Sequence, residues 1–218
     1  TGVLPSYERD YDRDELVAVE AGSSVIFRPP NELLFPSGAP LVRLNVAAAL
    51  ATPWPGVDDD TFVTMVATIM TKALNVVGPC RLYCGEKDWQ NVATLRRTVV
   101  DLSIPSEIVP CPSVRDEDGV VLGSRNAKLT QAERAVAPAI KRALDRAASA
   151  VEGGERDAGR VEALLQQSLD GVGELQYAVV VDARTLERVE PLRGDLRVLV
   201  SVGFGATSLI DNVRVRSP

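Results

Sequence analysis

At 218 residues, with 45% apolar and 25% charged positions, the sequence has the make-up of an ordinary globular protein of one large or two modest domains. A formal net charge of −6 argues against a general nucleic-acid binder, although a few local cations suffice for a small anionic ligand. The sequence contains no histidine, which excludes Ser-His and Cys-His nucleophilic pairs and every imidazole metal site.

Catalysis would therefore run on Lys, Arg, carboxylates, hydroxyls and bound metal ion. Cys80, Cys84 and Cys111 form an odd set without metal-ligand spacing, and free thiols in a reducing cytoplasm are the simplest account. No uninterrupted apolar run of about 18 residues occurs, so neither a membrane span nor a membrane partner is expected. No basic stretch followed by an apolar run opens the sequence, so no signal peptide is expected.

Thr1 to Arg13 is polar and reads as loop. Asp14 to Ala21 has helical spacing, with Gly22 as its stop. Ser24 to Phe27 is a short apolar run closed by Pro29-Pro30, which predicts a buried strand, and Leu41 to Val46 is a weaker strand candidate. Thr61 to Val77 carries apolar residues at i, i+3, i+4 and i+7, hence a helix packed by one broad face. Asp58-Asp59-Asp60 before it suit the positive helix end as capping residues better than they suit a metal site, which would need further convergent oxygens.

Arg81 to Cys84 reads as a strand, Asp88 to Leu102 as a helix and Ser106 to Val109 as a strand, together a βαβ unit of a parallel sheet. Thr130 to Val151 reads as one long helix begun by a Thr130-x-x-Glu133 capping box and ended by Gly153-Gly154. A second helix follows over about Asp157 to Leu169. Gln176 to Asp182 and Arg197 to Val202 read as strands, with a shorter one at Asn212 to Val215. A boundary near Ser113 separates residues 1–113 from a small α+β domain, 114–218. No internal repeat or low-complexity tract interrupts this order.

Two segments could carry chemistry. Gly85-Glu86-Lys87-Asp88-Trp89-Gln90-Asn91 lies where a strand turns into a helix, a place where parallel sheets bind ligands. Lys87 could neutralise a phosphate, Asp88 could accept from ribose hydroxyls and Gly85 would allow close backbone approach. Composition alone favours a plain solvated helix start, since acidic residues are commonplace there. The second segment runs from Val114-Arg115 through Asp118-Gly119 to Gly123-Ser124-Arg125-Asn126. Ser124 and Arg125 suit phosphate oxygens, but an interdomain loop tied down by Arg125 fits the spacing equally well.

Gly85-Glu86-Lys87-Asp88 with Gln90 resembles the G-E/Q-K-D-x-Q-Q signature of pantothenate synthetases, the pantoate–β-alanine ligases. Val114-Arg115 to Ser124-Arg125-Asn126 resembles that family's V-R-x-x-D-G-L-A-x-S-S-R-N segment. Leu209-Ile210-Asp211-Asn212 is similar to its L-I-D-N strand. Glu20-Ala21-Gly22 with Val25-Ile26-Phe27, and Val66-Ala67-Thr68 to Pro79, match two further family runs in the same order.

The resemblance implies an α/β fold, namely part of a Rossmann-like nucleotidylyltransferase domain followed by a small α+β C-terminal domain. It implies that Gly85 and Asp88 hold the ribose of ATP. Lys87 and Arg125 would hold its phosphates with help from Ser124, making Lys87, Ser124 and Arg125 the catalytic set. Val114 would sit by the adenine, and Asn91, at the position of the second Gln, would contact pantoate. Pantoate would react with Mg-ATP to give pantoyl adenylate, from which β-alanine displaces AMP. Positioning and charge neutralisation matter most in such chemistry. Mg2+ would accompany ATP, the chain itself offering no metal cage. A cytoplasmic homodimer acting on small molecules is what the family implies.

Departures from the family pattern are equally plain. Members open with a strand and an H-x-G-H loop whose histidines stabilise phosphate charge, and neither is found in these residues. The match begins near Tyr7-Glu8-Arg9. The expectation is that residues upstream of Thr1, or failing that another chain, complete the fold. The family's R-P-x-H-F-x-G-V segment is replaced around Trp54-Pro55-Gly56 and Asp58 to Val66. Gly123 stands for a Ser, Leu122 for a Met and Asn91 for a Gln. Beside a ligase inactive as this chain alone, the sequence therefore leaves open a non-catalytic paralogue serving as a binding or dimer partner. A nucleotidylyltransferase for another small acid is a weaker alternative.

Overall fold

A computed structural model describes residues 10–36, 38, 41–51, 54 and 61–217. Its chain forms two units, Thr1–Arg43 and Leu44–Pro218. The readings that rest on Tyr7-Glu8-Arg9, Pro55-Gly56 and Asp58-Asp59-Asp60 lie outside the described residues. Among those described, no helix is long and apolar enough to cross a membrane.

In the first unit, helix α1 spans Tyr11–Glu20 and a short helix, α2, spans Asn31–Leu34. Helix α1 starts earlier than its apolar spacing suggests because the Asp10 side chain accepts from the Arg13 amide at 3.1 Å. Gly22, at φ +89°, ends it as expected. The buried strand expected at Ser24 to Phe27 is not formed. These residues join no sheet among the described residues, and Val25 is 82% exposed. An apolar run becomes a strand only when a neighbour supplies ladder hydrogen bonds, and none of the described residues does so here. Leu41 and Val42 are likewise exposed and join no strand among the described residues.

The second unit begins with a short helix, α3, Ala48–Ala51, followed by α4, Thr61–Val77, as its periodicity predicts. Strand β1, Arg81–Gly85, turns through a 3-10 segment, Glu86–Asp88, into α5, Trp89–Asp101. Strand β2, Glu107–Cys111, then pairs with β1 in parallel, Gly85 opposite Cys111. The expected boundary near Ser113 falls in the connection after β2. There an antiparallel bridge between Arg115 and Val121 closes a small hairpin around Gly119, at φ +89°.

A second 3-10 segment, Ser124–Lys128, leads to α6, Gln131–Val136, and α7, Pro138–Glu152. The capping box forms as read, Thr130 and Glu133 satisfying each other's backbone amides. The single helix expected over Thr130 to Val151 is, however, two. Pro138 has no N–H to continue the hydrogen-bond ladder and serves instead as the first residue of α7. Helix α8, Ala158–Leu169, is capped by Asp157.

Strands β3, Glu174–Asp182, β4, Gly194–Phe204, and β5, Thr207–Ser217, form an antiparallel sheet in that order, leaving β5 at an edge. Strand β5 is far longer than the four residues expected. The polar pair Asp211-Asn212 interrupts its apolar signal, but both residues are buried. One face of this sheet packs on α7 and α8 through Val198, Val200, Leu144 and Leu165. The other carries Val179, Val181 and Leu199 into a second core with Trp89, Val92, Leu95 and Ile108. Burial on both faces is what ties the antiparallel sheet to the βαβ unit.

Leu144 is fully buried between the sheet and its helices. Leu144→Ala is expected to destabilise the chain by about 2–5 kcal/mol, the range for cavity-forming truncations, seen as a lower urea midpoint with an unchanged slope.

Candidate functional site

Strand β5 is the spine of the site. From its Asn212, Nδ2 donates to the Glu86 carbonyl at 2.8 Å and to the Lys87 carbonyl at 2.9 Å. From its Asp211, the two carboxylate oxygens accept from Arg115 Nη1 at 2.6 Å and Nη2 at 2.9 Å. Neighbouring residues of a strand face opposite sides of the sheet. These two thus fasten one chemical segment, Gly85 to Asp88, on one side, and the start of the other, Val114 to Gly119, on the opposite side. Arg125 joins them at the edge, Nη1 donating to the Ser208 carbonyl at 3.3 Å.

Behind Asn212 lies a buried ion pair. Arg197 is 2% exposed, and its Nη1 donates to Asn212 Oδ1 at 2.9 Å and to Glu86 Oε2 at 3.1 Å. Its guanidinium carbon lies 3.5 Å from the centroid of the Trp89 ring, and Trp89 Nε1 donates to the Ala183 carbonyl at 2.8 Å. Burial pushes the Arg197 pKa down, opposed by Glu86. Arg197 Nε is buried without a hydrogen-bond partner among the described residues.

The site residues named from sequence are distributed as follows. Gly85 ends β1, with open space where a Cβ would stand. Lys87 is half-buried and makes no side-chain hydrogen bond among the described residues. Its ammonium nitrogen lies against Gly123, where an added Cβ would collide with it. Burial lowers the Lys87 pKa, with Asp88 and Asp211 opposing and Arg125 adding to the effect. Asp88 is exposed at the start of α5, and its side chain caps nothing. Ser124 and Arg125 are exposed at the start of the second 3-10 segment. Lys87, Asp88, Gly123 and Arg125 therefore share one electrostatic neighbourhood. Val114 is 67% exposed beside Arg115, and Asn91 is half-buried in the first turn of α5.

Several residues escaped the sequence reading. Gln90, part of the first motif, donates to the carbonyls of Leu50 and Ala51 at 2.8 and 2.9 Å, closing the end of α3. Asn126 Nδ2 donates to the Val121 carbonyl at 2.9 Å, while its Oδ1 is buried, without a partner among the described residues, 3.8 Å from the Cβ position of Gly123. Tyr177 on β3 stacks edge-on against Trp54 and feels the charges of Asp88 and Arg125. Arg197 gave no sequence signal, and Asp211-Asn212 gave one only as part of the L-I-D-N resemblance. A groove of about 1180 Å³ borders Glu86, Trp89 and Arg197, but Lys87, Asp88, Ser124 and Arg125 are not among its walls. The cations, rather than the groove, mark the site.

Among the described residues no three Asp, Glu or Cys side chains converge as a metal site.

A parallel βαβ unit packed on an antiparallel sheet, with a Gly-Glu-Lys-Asp turn at a strand's end, defines a nucleotidylyltransferase-like α/β protein. The pantoate-β-alanine ligase family model matches residues 2–214, and the chain belongs to that family. It is 49% identical over 210 residues to pantothenate synthetase 2 of Frankia alni, covering 96% of this chain and 64% of that protein. It is 36% identical to pantothenate synthetase 1 of the same organism, over 100% of this chain and 77% of that one. The crystal structure of pantothenate synthetase from Thermus thermophilus superposes with a TM-score of 0.89 at 33% identity, covering 97% of this chain and 77% of the other. The chain thus spans just under two thirds of the first of these relatives.

Tyr177 supplies a pH test of this geometry. Burial, then the nearby Asp88 charge, pushes its pKa up to about 12 from the ordinary tyrosine value of 10.0. The folded state therefore keeps a proton that the unfolded state loses. That stabilisation is complete below pH 10 and is lost as pH rises toward 12, at up to about 1.4 kcal/mol per pH unit. Tyr177→Phe is expected to flatten the alkaline fall in unfolding free energy measured by urea titration. An equally steep fall in the variant would show that another group is responsible.

Proposed function

We propose that this chain carries the nucleotide part of an ATP-dependent ligase that condenses pantoate with β-alanine. The observation that carries the reading is the half-buried Lys87 ammonium, without a hydrogen-bond partner among the described residues and beside Arg125. A desolvated cation held at a strand end near a second cation is poorly stabilised by the protein itself and well matched to phosphate oxygens. Family membership supplies the substrate class.

In this reading Lys87 and Arg125 hold the phosphates of ATP with help from the Ser124 hydroxyl. Asp88 and the backbone at Gly85 take the ribose, Val114 lies by the adenine and Asn91 contacts pantoate. Mg2+ bound to the nucleotide would supply further neutralising charge on the phosphates. A pantoate carboxylate oxygen bonds to the α-phosphorus while the bond to the pyrophosphate oxygen breaks. The β-alanine amine then attacks the acyl carbon of pantoyl adenylate, AMP leaves with the C–O electron pair, and the amine gives up a proton. Lys87 and Arg125 act by stabilising charge as it moves to the leaving pyrophosphate. Residues 1–113 would form the C-terminal part of a Rossmann-like nucleotide-binding domain and residues 114–218 a small α+β domain that adds Val114, Ser124 and Arg125 to the site, and the assembled enzyme would be a cytoplasmic homodimer.

These 218 residues contain no histidine. They are expected to bind nucleotide weakly and, alone, to make no pantothenate above an enzyme-free control. Mg-ATP binding is to be measured by ligand-observed NMR at millimolar concentration. Lys87→Ala should weaken it roughly 10- to 100-fold, the equivalent of one charge-assisted hydrogen bond of about 1.5–3 kcal/mol. Arg125→Ala should act in the same direction. Binding untouched by either substitution would place the phosphates elsewhere. No binding by the folded chain would favour the non-catalytic paralogue.

A further inference from the structure

Helix α5 begins without the device that usually starts a helix. Asp88 stands at its N-cap position, at φ −95° and ψ 60°, yet makes no side-chain capping bond. Gly85 before the turn makes no close contact at its Cβ position. Something else must hold the Glu86–Asp88 turn, and the hydrogen bonds to β5 show what does. Both amide hydrogens of Asn212 are used on two consecutive carbonyls, Glu86 at 2.8 Å and Lys87 at 2.9 Å.

Backbone satisfaction does not require these bonds. At the start of a helix the groups lacking partners are N–H donors, whereas the carbonyls already point toward the next turn. Two outside donors on these carbonyls therefore act as a restraint, fixing the peptide plane between Glu86 and Lys87 and with it the direction in which the Lys87 side chain leaves the turn. The amide is itself oriented. Arg197 Nη1 donates to Asn212 Oδ1 at 2.9 Å, which turns Nδ2 toward the carbonyls, and Asn212 N donates to Asp211 Oδ1 at 2.8 Å. The Asp88 carboxylate makes no capping bond, and the Lys87 ammonium has no hydrogen-bond partner among the described residues, so both stay available to a ligand.

We propose that Asn212 is a positioning residue: its amide, set by Arg197, holds the Glu86 and Lys87 carbonyls and so aims Lys87 at Gly123 and the phosphate-binding space. The ligand in this statement rests on the ligase reading above, whereas the aiming of Lys87 does not.

The test reads the two separately. Lysine side-chain NMR follows the titration of Lys87 without nucleotide, and calorimetry follows binding of inorganic pyrophosphate with Mg2+. In the unsubstituted chain Lys87 should titrate below 10.5, the value of an unperturbed lysine. A normal titration there would overturn the proposal at once. In Asn212→Ala, with the fold checked by circular dichroism, the Lys87 titration should move up toward 10.5 and pyrophosphate binding should weaken about tenfold or more. Asn212→Ser, which keeps one donor, should give smaller changes of both kinds and serves alone if the Ala variant does not fold. A folded variant whose Lys87 titration is unchanged refutes the positioning role, even if pyrophosphate binding falls. If the titration moves but the unsubstituted chain binds neither pyrophosphate nor Mg-ATP, the positioning role stands and the ligase reading fails.

Discussion

A buried guanidinium governs this structure. Arg197 sits on the face of the antiparallel sheet that packs against the βαβ unit, and its buried charge is compensated there by the Glu86 carboxylate, the Asn212 amide oxygen and the Trp89 ring. Each of these partners belongs to an element that must be in register for the group to be satisfied. Glu86 and Trp89 fix the start of α5, while Asn212 fixes β5. Its directed hydrogen bonds add a demand on geometry to the register that burial of both sheet faces already sets.

The site inherits that rigidity. Because Asp211 and Asn212 are adjacent on one strand, the clamp on Arg115 and the clamp on the Glu86–Lys87 carbonyls are set by the same backbone. The two chemical segments, far apart in sequence, are thereby held within one electrostatic neighbourhood. Gly123 contributes by what it lacks. The family pattern carries Ser at this position, and the missing side chain leaves the room that the Lys87 ammonium takes up. Asn126, close by, turns to the same region a buried oxygen that has no partner among the described residues.

Where sequence reading succeeded, a local cause was enough. Helix α4 follows from a broad apolar face, and the parallel β1–α5–β2 order follows from a strand-helix-strand pattern of the right length. The Thr130–Glu133 box is formed from its own residues. Where it failed, the deciding partner was remote or a single residue overrode a pattern. The apolar run at Ser24 to Phe27 lacks a neighbouring strand among the described residues. Pro138 split a helix whose apolar spacing continues across it. Strand β5 was underestimated because Asp and Asn disfavour strands unless buried partners compensate, and those partners are Arg115 and Arg197, distant in the chain.

The sequence by itself determined the family, the order of most elements and the residue types able to meet a phosphate, because ordered motifs and periodicity are local properties. It also determined that no imidazole in these residues takes part, since none is present. Only the tertiary structure decided which polar residues are supports and which remain available. Gln90, Arg115, Asp211 and Asn212 look as reactive as Lys87 and Asp88 when read as letters, yet the first four are engaged in fixed hydrogen bonds. Lys87 lacks a hydrogen-bond partner among the described residues, and its ammonium rests against Gly123, a residue of a different loop far along the chain. Burial and partner geometry arise from packing between distant segments, so no local pattern could have encoded that difference.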